Sequence, residues 1–116
     1  EVLDFMGVQY ETQKKFAECR DKRKLPFDFY ISEYNTLIEY QGEQHYKTIQ
    51  RGSMSEDDAL ENLALIQKHD KIKRDYCKIN KINYIEIPYW ENDDIENYIF
   101  DKFVKIGIIE EIVKSA

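Results

Sequence analysis
The sequence is short of several things that would each place it in a class. Two of its 116 residues are cysteine, Cys19 and Cys77. They form no CxxC pair and no zinc-finger spacing. Two buried thiols in a reducing compartment are the expectation, with a disulfide left open. No segment approaches the ~20 apolar residues that a membrane helix requires, so no membrane partner is expected. No secretory signal is visible, and no repeat or low-complexity tract. An initiator Met is missing as well: the chain opens Glu1-Val2-Leu3, and the expectation is one domain, residues 1–116, cut from a longer protein. Positive charge is also in deficit. The net charge is −6, which taken alone argues against phosphate binding, because phosphate contacts need Lys and Arg.

What is present points to a folded domain. Hydrophobic residues make up 42% of the chain and aromatics 14%. A chain of this length buries roughly two-thirds of the surface it exposes when unfolded. The scarce positive charge is clustered: Lys14, Lys15, Arg20, Lys22, Arg23 and Lys24 in one stretch, and Lys68, Lys71, Lys73 and Arg74 in another. Such clusters form a local surface for anions on an acidic protein, although single charge runs are commonly solvated faces.

The pattern predicts a helix end at residues 1–6 stopped by Gly7, a strand over 8–12, and a charged loop over 17–25. Residues 26–31 read as an aromatic-rich strand, Tyr34-Asn35 as a two-residue turn, and 36–41 as the return strand. A polar loop over 47–55 leads to a helix capped by Ser55 and running to about Asn80. A strand over 83–87 closes at Pro88. One or two amphipathic helices, broken near Gly107, fill 93–113. This α-β-β-β-α-β-α order predicts an α/β fold with a mixed sheet and helices on both faces.

Side chains alternate along a strand. With a turn at Tyr34-Asn35, Tyr30 falls opposite Glu39 and Asp28 opposite Gln41. Asp28, Glu39 and Gln41 then share one face, with Asp28 and Glu39 as diagonal neighbours, while Phe27, Phe29, Ile31, Ile38 and Tyr40 take the other. Like charges this close destabilise a sheet, and a divalent cation between them removes the problem. Mg²⁺ takes one or two carboxylates plus water and a substrate phosphate. A pair of acids on a solvated face is the plainer alternative. His45 follows Gly42 closely enough to sit beside the same site, where it would transfer protons. On the long helix Ala59, Leu63, Ile66 and Cys77 form one stripe, and Leu65, Ile72, Tyr76 and Ile79 a second, so the helix is expected to be largely buried. Asp70 lies within the first stripe, flanked by Lys73 and Arg74, and a buried Asp needs a partner. That partner is either Lys73 or Arg74, or else His45 or a metal-bound water, with Lys73 then near the scissile phosphate.

The runs Phe16-Ala17-Glu18-Cys19-Arg20-Asp21-Lys22-Arg23, Leu25-Pro26-Phe27-Asp28-Phe29-Tyr30 and Leu37-Ile38-Glu39-Tyr40-Gln41-Gly42-Glu43-Gln44-His45-Tyr46 together resemble a family of phage and viral nuclease domains. So do His69-Asp70-Lys71-Ile72-Lys73-Arg74-Asp75-Tyr76-Cys77 and Ile85-Glu86-Ile87-Pro88-Tyr89. The family is the PD-(D/E)XK group that includes very-short-patch-repair endonucleases and phage homing endonucleases with a Glu-Asp-x-His-Asp site. The resemblance runs from about Val8 to Trp90. It implies a restriction-endonuclease-like sheet and Mg²⁺- or Mn²⁺-dependent hydrolysis of DNA. It implies Asp28 and Glu39 as metal ligands, His45 and Asp70 as the motif histidine and aspartate, and Gln41 where a lysine usually stands. That lysine's role then falls to Lys73 or is absent. The motif's first glutamate is expected upstream of residue 1, with Glu11 a weaker candidate. Lys22, Arg23, Lys24 and Arg74 are the expected DNA contacts, helped by a second subunit or a further DNA-binding domain. The expected location is the cytoplasm, that of a host cell if the source is a phage or virus. The alternatives are a catalytically inactive nuclease-fold module that binds DNA or protein, and a domain that binds protein through its aromatic surface.

Overall fold
A computed structural model describes residues 9–107. The expected helix end at 1–6, Gly7, and everything beyond residue 107 lie outside the described residues.

The described residues form a four-stranded mixed sheet in the order β1-β2-β3-β4 with two helices. Its elements are β1 (Glu11–Arg20), β2 (Lys24–Ile31), β3 (Thr36–Gln41), α1 (Glu56–Ile79), β4 (Asn83–Pro88) and α2 (Ile95–Lys105). Strands β1 and β2 are antiparallel, as are β2 and β3, and β4 returns parallel to β3 after the α1 crossover. Parallel neighbours need such a crossover, because a hairpin can only reverse the chain.

Three boundaries depart from the sequence expectation. Strand β1 runs on to Arg20 through part of the stretch expected to be a loop. It lies at the edge of the sheet, where charged side chains stay solvated and discourage pairing with other chains. High charge was therefore no sign of a loop. The β2–β3 connection is longer than two residues: a 3-10 turn over Ser32–Tyr34 precedes Asn35, which sits in the left-handed region at φ 51°. The register is accordingly Phe29 to Ile38, Tyr30 to Leu37 and Ile31 to Thr36. Tyr30 faces Leu37, not Glu39, and the same register continued sets Asp28 opposite Glu39. The shift is two residues, so face parity is kept along the paired residues. After β4 a 3-10 turn over Tyr89–Asp94 precedes α2, where a helix was expected from about Asp93.

The core lies on both faces of the sheet. Ile31, Ile38, Ile85 and Ile87 pack with Ile99 and Phe103 of α2, and Phe29 joins them. On the opposite face Cys19, Leu25, Phe27 and Leu37 pack with Cys77 of α1. Phe27 thus departs from the alternation that was expected to group it with Phe29 and Ile31. The ladder between β2 and β3 stops at Phe29 and Ile38, and the backbone is free to turn at Asp28. Cys19 and Cys77 are buried free thiols.

Helix α1 starts where Ser55 caps it, its hydroxyl accepting from the Asp58 amide at 3.0 Å. This satisfies one of the amides that a helix start leaves without an internal partner. Of the second expected stripe, Ile72 and Tyr76 are half-buried against the core, while Leu65 is 47% and Ile79 78% exposed. The covered stripe is Ala59, Leu63, Ile66, Asp70, Lys73 and Cys77, spaced three and four apart as one helix face requires. Lys73 therefore belongs inside the stripe, not on its flank.

Candidate functional site
The α1-facing side of the sheet carries charge where a core would carry hydrocarbon. Glu39 is 4% exposed and Gln41 2%, both on β3; Asp70 is 4% and Lys73 8%, both on α1. Each has a partner, as burial demands.

Asp28 and Glu39 replace the β2–β3 ladder with side chains. The Asp28 amide donates to Glu39 Oε1 at 2.9 Å, and the Tyr40 amide donates to Asp28 Oδ2 at 2.8 Å. Each carboxylate therefore spends one oxygen on the opposing strand. This exchange holds two like charges side by side. Lys73 Nζ lies 3.2 Å from Glu39 Oε1 and 5.2 Å from the centre of the Phe27 ring. Burial pushes the Glu39 carboxyl up to about 7, Lys73 pulls it down and Asp28 raises it further.

One turn toward the start of α1, Asp70 meets His45. The two side chains are 2.8 Å apart, from Nδ1 to Oδ2, and are 15% and 6% exposed. Of the partners considered for Asp70, the structure has His45; Lys73 is engaged by Glu39 and Arg74 by Glu86 at 2.7 Å. A carboxylate only accepts, so the neutral imidazole carries its hydrogen on Nδ1 and keeps a lone pair on Nε2. His45 ends the 3-10 turn Glu43–His45 that directly follows β3 and Gly42. Helix positions three apart lie about 5–6 Å from each other at Cβ, so Asp70 and Lys73 bring the histidine and the carboxylate pair to one place.

Glu86 is the member that sequence reading did not single out. It is paired in register with Glu39 across β3 and β4. Its carboxylate accepts from Gln41 Nε2 and Arg74 Nε, and Tyr98 Oη donates to its backbone carbonyl at 2.9 Å. The alternation Tyr84-Ile85-Glu86-Ile87 carried the signal, since it puts an acid on the α1 face just as Glu39 is. Gln41 is held from both ends, because Tyr46 Oη donates to its Oε1. The Tyr84 hydroxyl is buried with no hydrogen-bond partner among the described residues. Burial first, then Glu39, Glu86 and Asp70, push its ionisation upward.

The expected DNA contacts are split. Lys22, Arg23 and Lys24 are exposed at the β1–β2 turn, which is pinned to α1 where Asp21 meets His69 at 3.0 Å and Lys68 at 3.3 Å. Arg74 is half exposed and tied to Glu86. Glu11 lies on β1, paired with Tyr30 and exposed.

Among the described residues no group of three or more His, Cys, Asp and Glu side chains is arranged to hold a metal ion. The pair Asp28 and Glu39 remains. Glu39 Oε2 and Asp28 Oδ1 receive no hydrogen bond among the described residues, whereas their companion oxygens do. Two carboxylate oxygens fit Mg²⁺, which binds by one or two carboxylates and keeps several waters.

Among the described residues no helix is long and apolar enough to cross a membrane. No protein-family model matches the chain, and no solved structure does. The chain is 32% identical over 88 residues to "Uncharacterized protein 307L" of Invertebrate iridescent virus 6, a match covering 76% of the chain and 42% of that protein. It is 34% identical over 96 residues to "Uncharacterized protein 094L" of Frog virus 3 (isolate Goorha), covering 76% of the chain and 59% of that protein. The chain thus spans about half the length of these curated viral relatives, and it is similar to proteins of two viruses.

Proposed function
We propose that the chain is a metal-dependent DNA endonuclease domain of the PD-(D/E)XK type, with a restriction-endonuclease-like sheet, hydrolysing phosphodiester bonds. The observation that carries this reading is the pairing of Asp28 with Glu39 across β2 and β3, with Lys73 on Glu39 and the His45–Asp70 pair one helix turn away. A solvated pair of acids would need no buried lysine and no histidine held by a buried aspartate.

Asp28 and Glu39 would hold Mg²⁺ or Mn²⁺ through their free oxygens. Such an ion supplies Lewis acidity toward a phosphate and lowers the pKa of water. The chain's own residues do the rest. Lys73 offsets the Glu39 charge and keeps the carboxylate oriented. Gln41 carries no charge, so Lys73 would supply the cation that the motif's usual lysine provides. Asp70 fixes the His45 ring, so Nε2 is aimed as a proton acceptor or, once charged, as a donor. Glu86 holds Arg74 at the rim, where it would meet phosphate oxygens, and Lys22, Arg23 and Lys24 would follow the DNA backbone. With a net charge of −6, a second subunit or a further domain would supply most of the affinity for DNA. A host-cell location fits the viral relatives.

The test is nicking of supercoiled plasmid in Mg²⁺. The native chain should cut it, EDTA should stop the reaction, and Asp28→Ala should abolish it while far-UV circular dichroism stays native. Cleavage by Asp28→Ala at the native rate would remove the site. A native chain that binds DNA without cutting would mark an inactive nuclease-fold module.

A further inference from the structure
Where β3 and β4 end, three aromatic rings lie against one another. The Tyr46 ring centre is 4.8 Å from that of Trp90 and 5.7 Å from that of Tyr89, and the centres of Tyr89 and Trp90 are 5.4 Å apart. They are not core residues: Trp90 is 60% exposed and Tyr46 38%. They are also held firmly. Tyr46 is anchored on Gln41 by its hydroxyl, and Tyr89 and Trp90 open the 3-10 turn that follows β4. Tyr46 directly follows His45, so the rings stand beside the candidate site.

The surroundings are lopsided in charge. Lys47 lies 5.8 Å over the Tyr89 ring and 3.5 Å from Glu43. It also lines, with Arg51, a cavity of about 350 Å³ whose walls include Ile49, Met54, Leu63 and Ile66. Beyond Trp90 the sequence turns acidic at Glu91, Asp93 and Asp94. A polyanion reaching these rings is therefore steered to the Lys47 and Arg51 side.

We propose that this surface binds single-stranded nucleic acid, an unpaired base stacking on Trp90 and Tyr46 while the phosphates follow Lys47 and Arg51. The proposal rests on the nuclease reading for its place beside His45, and it gives that site a substrate class: nucleic acid with an unpaired stretch. Every base has a π-face, so stacking on an aromatic ring binds strands of any sequence. In a closed duplex those faces are covered by neighbouring pairs, and the rings have nothing to stack on. Rigid rings lose little freedom when a base lands on them.

Trp90 is the sole tryptophan of the chain, so intrinsic fluorescence reports this ring directly. The experiment titrates the chain in EDTA with oligothymidylate and with a blunt duplex of the same length. The single strand should quench Trp90 saturably and bind about tenfold more tightly than the duplex. By anisotropy of a labelled strand, Trp90→Ala should lose about tenfold in affinity and Trp90→Phe should recover most of it. Lys47→Ala should flatten the salt dependence by about one phosphate contact. Absence of quenching, equal affinity for strand and duplex, or native affinity in Trp90→Ala each overturns the proposal, the last leaving the rings to a protein partner. Metal-dependent cleavage without quenching overturns this proposal alone. Quenching without cleavage overturns the nuclease reading alone.

Discussion

The two faces of the central sheet are made by the same strands and have opposite characters. Toward α2, β3 and β4 present Ile38, Ile85 and Ile87, sealed by Ile99 and Phe103. Toward α1 they present Glu39, Gln41 and Glu86; Lys73 meets Glu39 and Arg74 meets Glu86, while Asp70 holds His45 beside them. The first face stabilises by removing hydrocarbon from water, at roughly 1.5–3 kcal/mol for a fully buried side chain. The second takes charges out of water, and replacing buried ion pairs by apolar residues is often neutral or stabilising. The charged part of the α1 face, beside the Phe27, Leu37 and Cys77 core, is therefore poorly explained as a device for stability. It is well explained as a surface that keeps reactive groups in fixed positions.

The sharpest way to separate the faces is to alter each and read both cleavage and stability. His45→Ala on the α1 side should slow cleavage by roughly 10²–10⁴-fold, the range for a positioned acid or base. Its melting temperature should move little. A collapse of metal affinity in this variant would make His45 a ligand. On the α2 side Phe103, wholly buried, should behave in the opposite way. Phe103→Ala should cost about 3–5 kcal/mol in urea unfolding, with cleavage per folded molecule unchanged. A Phe103→Ala protein that stays folded but cuts no DNA would break the comparison, because the faces would then act as one unit.

A smaller effect follows from Glu39. Its carboxyl is pushed from an ordinary 4.5 up to about 7, chiefly by burial, against the pull of Lys73 and with the push of Asp28. A folded-state value above the unfolded one means that the native chain holds a proton the unfolded chain has released. That contribution is fully present below pH about 4.5 and is lost as pH rises through about 7. In EDTA the metal-free chain should therefore lose stability between those limits. Glu39→Gln should lack that component, and the difference between the two curves isolates it from His45, Asp70 and Glu86 nearby. Identical pH profiles for the two proteins would show that Glu39 is ionised throughout.

Much of the site was legible because face parity is robust. Asp28 and Glu39 could be placed together from alternation even with the wrong turn, since a two-residue change of register keeps face parity; Phe27, beyond the end of the ladder, changed sides. The turn itself was less legible, because Tyr34-Asn35 suits a two-residue hairpin and nothing local announces the 3-10 turn Ser32–Tyr34. The far half of β1 was hidden by charge: Lys and Arg mark an edge strand as readily as a loop. Asp70 stood out as an acid in an apolar stripe, whereas Lys73 needed the full spacing from Ala59 to Cys77 to be placed inside it. Glu86 was passed over because its partners, Gln41 and Arg74, lie 45 and 12 residues away. Residue 8 of the expected first strand and residues 108–113 of the expected last helical stretch lie outside residues 9–107.

The central claim, that Asp28 and Glu39 form a cation site, is tested most directly by thermal melts of the native chain and Asp28→Asn, each with EDTA and with Mn²⁺. A ligand that binds only the folded state stabilises it by about 2.7 kcal/mol at a hundredfold excess over Kd. For a domain of this size that is about 10 °C in melting temperature. The native chain should rise by that amount in Mn²⁺. Asp28→Asn should melt higher than the native chain in EDTA, because Asn can still accept from the Tyr40 amide while one of two crowded charges is gone, and it should respond little to Mn²⁺. An equal rise in both proteins would place the ion elsewhere and contradict the account.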